Sequence, residues 1–192
     1  MPKGRALDIA TGKGRHAVFL AERGFKVVGI DISPVALNTA RRIAREKSLA
    51  IDWQEADLEQ IELPKNHYDL VLNFDYLQRS LVPQIKQTLK PHGWVIFETY
   101  LIDQKTIGHP SNPSYLLGHN ELLDLFGDFR VLYYREGHFS SREKPHSSPG
   151  SWRKRTAART SFIVHQITQL PRSRPPQVQG LTGSRAAGSS SS

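Results

Sequence analysis

The sequence contains no cysteine, which excludes disulfide bonds and thiolate chemistry and is compatible with a reducing compartment. No apolar run approaches the ~20 residues that a membrane-spanning helix needs. The N-terminus also lacks the cationic and then apolar segments of a secretion signal. We therefore expect a cytoplasmic protein that does not enter a membrane.

The eight histidines show no spacing that is typical of a metal site, such as two histidines four residues apart on a helix. The sequence therefore predicts no metal ion. His16 and His138 are the two histidines that could approach a site, and a solvated side chain is the favoured interpretation of both.

The net charge of +8 is concentrated at one end of the chain. Residues 1–143 carry 18 Lys or Arg and 18 Asp or Glu, whereas residues 144–192 carry eight basic residues and no acid. Nucleic-acid binding requires a basic face on the folded domain, and the basic segment is poor in aromatic residues for stacking on bases. The charge therefore argues against nucleic acid as a substrate and favours a small molecule.

The length of 192 residues is enough for one domain with a full hydrophobic core. From Pro171 the composition changes to Pro, Gly, Ser, Gln and Arg, and the chain ends in four serines. Such a segment has too little apolar surface to offset the entropy lost on ordering. We predict one domain over residues 1–170 and a disordered basic tail over residues 171–192.

The opening motif, ALDIATGKGRHA at residues 6–17, organises the rest of the chain. It begins as a buried strand with Asp8 near the C-terminal end, and the turn at residues 11–14 leads into an apolar helical pattern. A second strand, at residues 27–30, is followed by Asp31. A glycine turn between a strand and a helix is typical of a nucleotide site, and an acid after the second strand can accept hydrogen bonds from ribose hydroxyls.

The remainder of the sequence alternates strand and helix patterns. Ser33 and Pro34 are typical of a helix N-cap and a first helical residue, and an apolar stripe follows them. Further strands are predicted at residues 51–56, 68–73, 94–100, 129–135 and 158–167, further helices at residues 82–89 and 120–126, and an irregular segment at residues 101–118. This order predicts a doubly wound, mostly parallel α/β sheet with an antiparallel pair at one edge.

Two cofactor classes compete for the opening motif. Residues 12–17 match the dinucleotide pattern G-x-G-x-x-A, which alone is a weak signal. A dinucleotide would bring its pyrophosphate to this turn, where Asp8 would repel it. A cofactor with a cationic amino-acid end, such as S-adenosylmethionine, would tolerate or use that carboxylate. An NAD(P)-dependent oxidoreductase and a non-catalytic nucleotide-binding protein of the same fold are the alternatives to an enzyme that uses S-adenosylmethionine.

The segment DIATGKG resembles the first motif of the class I S-adenosylmethionine-dependent methyltransferases, with Ala10 where their first glycine usually stands. The resemblance extends over residues 6 to about 168 and includes YDLVLN and KPHGWVIFETY. It implies a Rossmann-like methyltransferase fold and S-adenosylmethionine as the cofactor. The cofactor-binding residues that it implies are Asp8, Ala10, Gly12, Gly14, Asp31, Ile32, Asp57, Leu58 and Asn73.

The resemblance also implies individual roles. Asp31 would bind the ribose hydroxyls and Asp57 the adenine amino group, with Ile32 and Leu58 on either side of the ring. Asn73 would lie where the methionine part of the cofactor and the methyl acceptor meet. The acids and Asn73 each have a structural alternative, because side chains at strand ends often cap turns and helices.

A narrower resemblance lies in the second half of the chain. The segment PSNPSYLLGHNELLDLF, followed by FRVLYYREG, is similar to the small tellurite-resistance-type methyltransferases, which place an irregular acceptor-side segment here. The family usually has a helix before the first strand that covers the cofactor. Because only five residues precede Ala6, we predict that this cover helix is missing from the sequence, and that either the start is truncated or the cofactor site is more open.

No catalytic residue is predicted from the sequence. The sulfonium of the cofactor activates its methyl group, so the protein mainly aligns a nucleophile with it. A thiol or a chalcogen oxyanion needs no general base, whereas a hydroxyl or an amine does. No residue has to be that base, which favours a soft or anionic acceptor. Tyr76, Arg79 and Tyr115 lie on segments that could reach the acceptor, and packing explains them equally well.

Overall fold

The structure is a computed structural model that describes residues 4–143 and 153–166. The predicted tail at residues 171–192 lies outside the described residues. The elements, in chain order, are β1 (Arg5–Ile9), α1 (Arg15–Ala21), β2 (Lys26–Asp31), α2 (Pro34–Glu46), β3 (Ile51–Glu55), β4 (Tyr68–Phe74), α3 (Val82–Thr88), β5 (Leu89–Tyr100), α4 (Glu121–Leu125), β6 (Arg130–Glu143) and β7 (Arg153–His165). Short 3-10 helices lie at Arg79–Leu81, Ile102–Thr106 and Pro113–Tyr115.

The strands form one mixed sheet in the order β3-β2-β1-β4-β5-β7-β6. Strands β1 to β5 are parallel to one another, whereas β7 is antiparallel to both β5 and β6. This architecture confirms the predicted doubly wound sheet with an antiparallel pair at one edge. None of the helices in the two described segments is long and apolar enough to cross a membrane.

Two hydrophobic clusters cover the faces of the sheet, because side chains alternate along each strand. In β1, Leu7 and Ile9 join the larger cluster with α3 and α4, whereas Ala6 joins the smaller cluster with α1. The central strands are therefore buried on both faces. This explains why β1 and β4 are near-continuous apolar runs in the sequence.

The largest departures from the predicted elements occur at β5 and β6. Strand β5 begins at Leu89, directly after α3, and not at residue 94 as predicted, and it contains Pro91 and Gly93, residues that usually end an element. The pairing with β4 shifts between Tyr68 and Leu70, so the strand accommodates its proline at an irregularity of the ladder. Strand β6 extends to Glu143 instead of residue 135, because its polar second half pairs with β7 without an apolar pattern that could reveal it.

The carboxyl ends of the parallel strands meet at one edge of the sheet. In the ladders, Ile9 lies beside both Ile30 and Asn73, and Asp31 lies beside Glu55. Asp8 near the end of β1, Asp31 at the end of β2 and Asp57 after β3 therefore belong to the same edge. This is the edge at which open α/β sheets bind their ligands.

Candidate functional site

The glycine turn after β1 has an unusual backbone. Ala10, Gly12 and Gly14 all have positive φ angles, of 50°, 57° and 76°, and α1 begins right after the turn at Arg15. A left-handed conformation is unfavourable for Ala10 because of its Cβ atom. The turn is fastened to β2 by a 2.9 Å hydrogen bond from the Thr11 N–H to the Ile30 carbonyl.

Asp8 lies beneath this turn and is almost fully buried, with 1% of its surface exposed. Its Oδ2 atom accepts hydrogen bonds from the Thr11 hydroxyl and from the Ala17 N–H, the latter at 3.1 Å. Burial raises the pKa of Asp8 to about 6, although these hydrogen bonds and the Arg15 charge oppose the rise. Asp8 therefore connects β1 to α1, and a nearby cation would stabilise its ionised carboxylate.

Asp31 joins the end of β2 to the glycine turn. Its Oδ2 accepts from the Gly12 N–H at 2.7 Å, and its Oδ1 accepts from the Ser33 N–H at 2.8 Å. The Ser33 hydroxyl in turn accepts from the Ala36 N–H at 3.2 Å, which confirms Ser33 as the N-cap of α2. A carboxylate has about four acceptor positions, so the half-buried Asp31 can still accept hydrogen bonds from a ligand.

The residues assigned to the adenine have different environments. Asp57 caps the turn after β3 by accepting from the Glu59 N–H and the Gln60 side chain, both at 2.9 Å. The Ile32 side chain is 63% exposed and available to a ring, whereas Leu58 is buried in the larger core cluster. The contact between the Leu58 side chain and the adenine ring therefore stays a prediction, and the burial of Leu58 does not favour it.

Asn73 ends the buried part of β4. It is 1% exposed, and its side-chain amide donates to the Tyr76 carbonyl at 2.7 Å, so it shapes the loop that follows. Arg79 binds both carboxylate oxygens of Glu121 and donates to the Leu116 carbonyl at 2.9 Å. Arg79 therefore fastens the irregular segment to the loop after β4, which supports its packing interpretation.

The sequence missed one cluster at this edge. The His16 ring packs on the Phe74 ring with 3.9 Å between centroids, and His16 is half-buried, so its interpretation as a solvated residue is wrong. Next to it, Arg159 on β7 donates to Asp75 at 2.6 Å and to Glu98 at 3.0 Å. No local motif connects these residues, since they lie on four separate segments. His138, by contrast, is exposed as predicted.

A concavity lies away from these motifs. A groove of about 700 Å³ opens toward the amino ends of the strands and is lined by Arg5, Lys26, Asp52 and Tyr68 among others. It contains none of the residues that follow the carboxyl ends of the strands. We therefore place the functional site by the motif residues and not by this groove.

A pair of glycine substitutions tests how the turn uses space. A Cβ atom at Gly14 would lie 2.5 Å from the Trp53 ring and 2.9 Å from the Ala40 Cβ, whereas one at Gly12 would meet nothing within 4 Å. We expect Gly14→Ala to lower the free energy of unfolding by about 2–4 kcal/mol, through backbone strain and overpacking. Gly12→Ala should cost only the strain, about 1–2 kcal/mol. Urea unfolding measures both, and equal losses would show that the close approach to Trp53 is unimportant.

Comparison with known proteins agrees with this geometry. Residues 6–93 match the family model described as a methyltransferase domain. The match favours S-adenosylmethionine over a dinucleotide, the two cofactor classes that the motif left open, and so implies S-adenosylmethionine as the cofactor.

Curated relatives match only part of their length. The chain is 36% identical over 101 residues to a ubiquinone biosynthesis O-methyltransferase of Nitrosococcus oceani, which covers 50% of this chain and 43% of the relative. It is 35% identical over 100 residues to a demethylmenaquinone methyltransferase of Thermus thermophilus, which covers 48% and 45%. The chain thus spans less than half the length of these relatives.

Solved structures share the fold over most of the chain. TehB from Haemophilus influenzae, a tellurite-resistance methyltransferase, superposes with a TM-score of 0.71 at 16% identity, over 84% of this chain and 57% of TehB. An S-adenosylmethionine-dependent methyltransferase from Methanosarcina mazei superposes with a TM-score of 0.66 at 15% identity, over 88% and 95%. These likenesses confirm the Rossmann-like methyltransferase fold.

Proposed function

We propose that this protein transfers the methyl group of S-adenosylmethionine to a small-molecule acceptor. The observation that carries the proposal is the open turn at Gly12, which lies between the carboxylates of Asp8 and Asp31 at the ligand-binding edge of the sheet. Asp8 is buried, and a nearby cation would stabilise its carboxylate, whereas Asp31 can accept hydrogen bonds from hydroxyl groups. These two properties match the ammonium and the ribose of S-adenosylmethionine better than they match a pyrophosphate.

The proposal assigns the remaining contacts to side chains at the same edge of the sheet. In the proposal, Asp8 faces the ammonium of the methionine part, and Asp31 accepts hydrogen bonds from the ribose hydroxyls. Asp57 accepts one from the adenine amino group, with the exposed Ile32 side chain against one face of the ring. Asn73 borders the reactive end through the loop that it fastens at Tyr76.

The cofactor, when bound, supplies an activated methyl group. The protein then has to place the acceptor in line with that group and exclude water, and alignment alone can contribute on the order of 7–11 kcal/mol. The similar proteins include a ubiquinone biosynthesis O-methyltransferase, a demethylmenaquinone methyltransferase and TehB. These names support a small-molecule acceptor, but they do not agree on its chemical class. The sequence predicted a soft or anionic acceptor because no residue had to act as a base. The half-buried His16 beside Phe74 is a candidate base, so this prediction loses its premise.

Ligand-dependent melting tests the proposal. We expect S-adenosylhomocysteine at a hundredfold excess over its Kd to stabilise the protein by about 2.7 kcal/mol, because it binds only the folded chain. For a chain of this size the melting temperature should rise by about 5–10 °C. NAD at the same concentration should leave it unchanged. A rise with NAD and none with S-adenosylhomocysteine would contradict the assignment.

A further inference from the structure

Four polar residues and one aromatic residue form a cluster beside the proposed cofactor site. His16 is the second residue of α1, two positions after Gly14, and its ring lies on that of Phe74. Phe74 and Asp75 directly follow Asn73, and Glu98 is the partner of Phe74 in the β4–β5 ladder. Arg159 on β7 completes the set. We call these residues (His16, Phe74, Asp75, Glu98 and Arg159) the His16 cluster.

Arg159 holds the two carboxylates of the cluster in place. One of its amino groups donates to both Asp75 and Glu98, and the other donates to the Tyr100 hydroxyl at 2.6 Å. Glu98 also accepts from the Ser161 hydroxyl at 2.9 Å. The two acids of the cluster therefore stand against two guanidinium groups, that of Arg159 and that of Arg15, which contacts His16.

The contacts of His16 favour its neutral form and identify the nitrogen that accepts. Nε2 lies 3.1 Å from a guanidinium nitrogen of Arg15, and because guanidinium groups only donate, the Nε2 lone pair faces this exposed donor. Burial and the Arg15 charge lower the pKa of His16, and the Asp75 and Glu98 charges oppose this in part. The imidazole is thus unprotonated at neutral pH, and both carboxylates would stabilise the imidazolium that forms when it takes a proton.

We infer that His16 is the general base of the proposed methyl transfer and that the acceptor is a small molecule with a hydroxyl group. The hydroxyl replaces the exposed Arg15 side chain as the donor to Nε2. As the hydroxyl oxygen forms its bond to the methyl carbon, the carbon–sulfur bond gives its electron pair to sulfur and the hydroxyl proton passes to Nε2. The proton then leaves to water. Arg159 is a positioning residue, since it acts through Asp75 and Glu98. The inference rests on the proposed function.

Acceptors of similar shape and different acidity test this role. The full chain is assayed with S-adenosylmethionine at pH 8 on catechol, which is mostly protonated, and on benzenethiol, which is mostly ionised. Loss of a general base costs about 10²–10⁴ in rate, so His16→Asn should lose this factor on catechol and retain most of its rate on benzenethiol. The matched control is His67→Asn at the opposite end of β4, where the ring contacts Arg5, and it should behave as the wild type on both acceptors.

The pH profile of the wild type gives a second readout that needs no variant. The catechol rate should be constant near neutral pH and fall tenfold per pH unit below the pKa of His16, because only the neutral imidazole accepts the proton. In His16→Asn the plateau near neutral pH should disappear on catechol, because only the catecholate ion then reacts, whereas the benzenethiol rate follows the ionisation of the thiol itself. Equal losses on both acceptors in His16→Asn, or transfer by the wild type to benzenethiol and not to catechol, would overturn the inference and leave the proposed function intact.

Binding measurements keep the outcome defined if neither probe is methylated. The ring resonances of His16 are then followed by NMR while catechol is added to the complex with S-adenosylhomocysteine. A shift of these resonances supports the contact, and unchanged resonances overturn it. Calorimetry with S-adenosylhomocysteine is run in parallel, since a failure of wild-type binding would contradict the proposed function itself and not only the role of His16.

Discussion

The Asp8→Asn variant is expected to be more stable than the wild type at pH 8. Burial raises the pKa of Asp8 from 3.8 to about 6, so between these values the folded chain retains a proton that the unfolded chain has lost. The free energy of unfolding therefore falls as the pH rises through this window and stays lower above it, by roughly 3 kcal/mol in the limit. Asparagine avoids this cost, and its oxygen can accept both hydrogen bonds that now end on Oδ2.

The same substitution should weaken cofactor binding. In the proposed site the Asp8 carboxylate faces the ammonium of the ligand, and loss of a charged hydrogen-bond partner costs roughly 1.5–3 kcal/mol. We therefore expect an affinity for S-adenosylhomocysteine that is about 10- to 100-fold lower. The wild-type affinity should also rise with pH up to about 6, because the carboxylate must ionise to meet the cation, and Asp8→Asn should lose this dependence.

Calorimetry from pH 5 to 8 and urea unfolding of the same variant measure both effects. Asp52→Asn is the matched control, since Asp52 is an exposed acid on β3 and should change neither quantity much. Higher stability with unchanged affinity would mean that Asp8 only caps the turn and helix α1. Lower stability would show that the ionised carboxylate contributes more through its hydrogen bonds than its burial costs.

Much of the fold was predictable because its signals are local. The glycine turn, the Ser33–Pro34 start of α2 and the buried run of β4 each depend on a few adjacent residues. The start of β5 and the second half of β6 were not predictable in the same way. Pro91 and Gly93 usually end an element, and here they lie within a strand whose pairing partner is remote in sequence.

The same distinction between local and long-range signals applies to the site. That Asp8 and Asp31 come together was predictable, because parallel strands end at a common edge. The role of Leu58 was not predictable, since an apolar residue after a strand can either contact a ligand or join the core. In the structure Leu58 is buried in the core. The His16 cluster had no sequence signal, because Arg159 reaches Asp75 across 84 residues and only the β5–β7 pairing brings them together.

Asp31→Ala should lower both the affinity for the cofactor and the stability of the fold. In the proposed site the ribose hydroxyls lose a charged acceptor, which costs roughly 1.5–3 kcal/mol and weakens S-adenosylhomocysteine binding about 10- to 100-fold. Ser33 still caps α2 in this variant, through its bond with the Ala36 N–H. The structure adds that Asp31 also accepts from the Gly12 and Ser33 N–H groups, so the urea midpoint should fall as well.

Ser33→Ala separates the two effects of Asp31. It removes the N-cap hydrogen bond to the Ala36 N–H and leaves the Asp31 carboxylate in place, so it should cost about 1 kcal/mol of stability and little affinity. Calorimetry and urea unfolding are measured on both variants. If Asp31→Ala resembles Ser33→Ala, with a lower midpoint and unchanged affinity, then Asp31 is a structural cap and the ribose contact belongs to another residue.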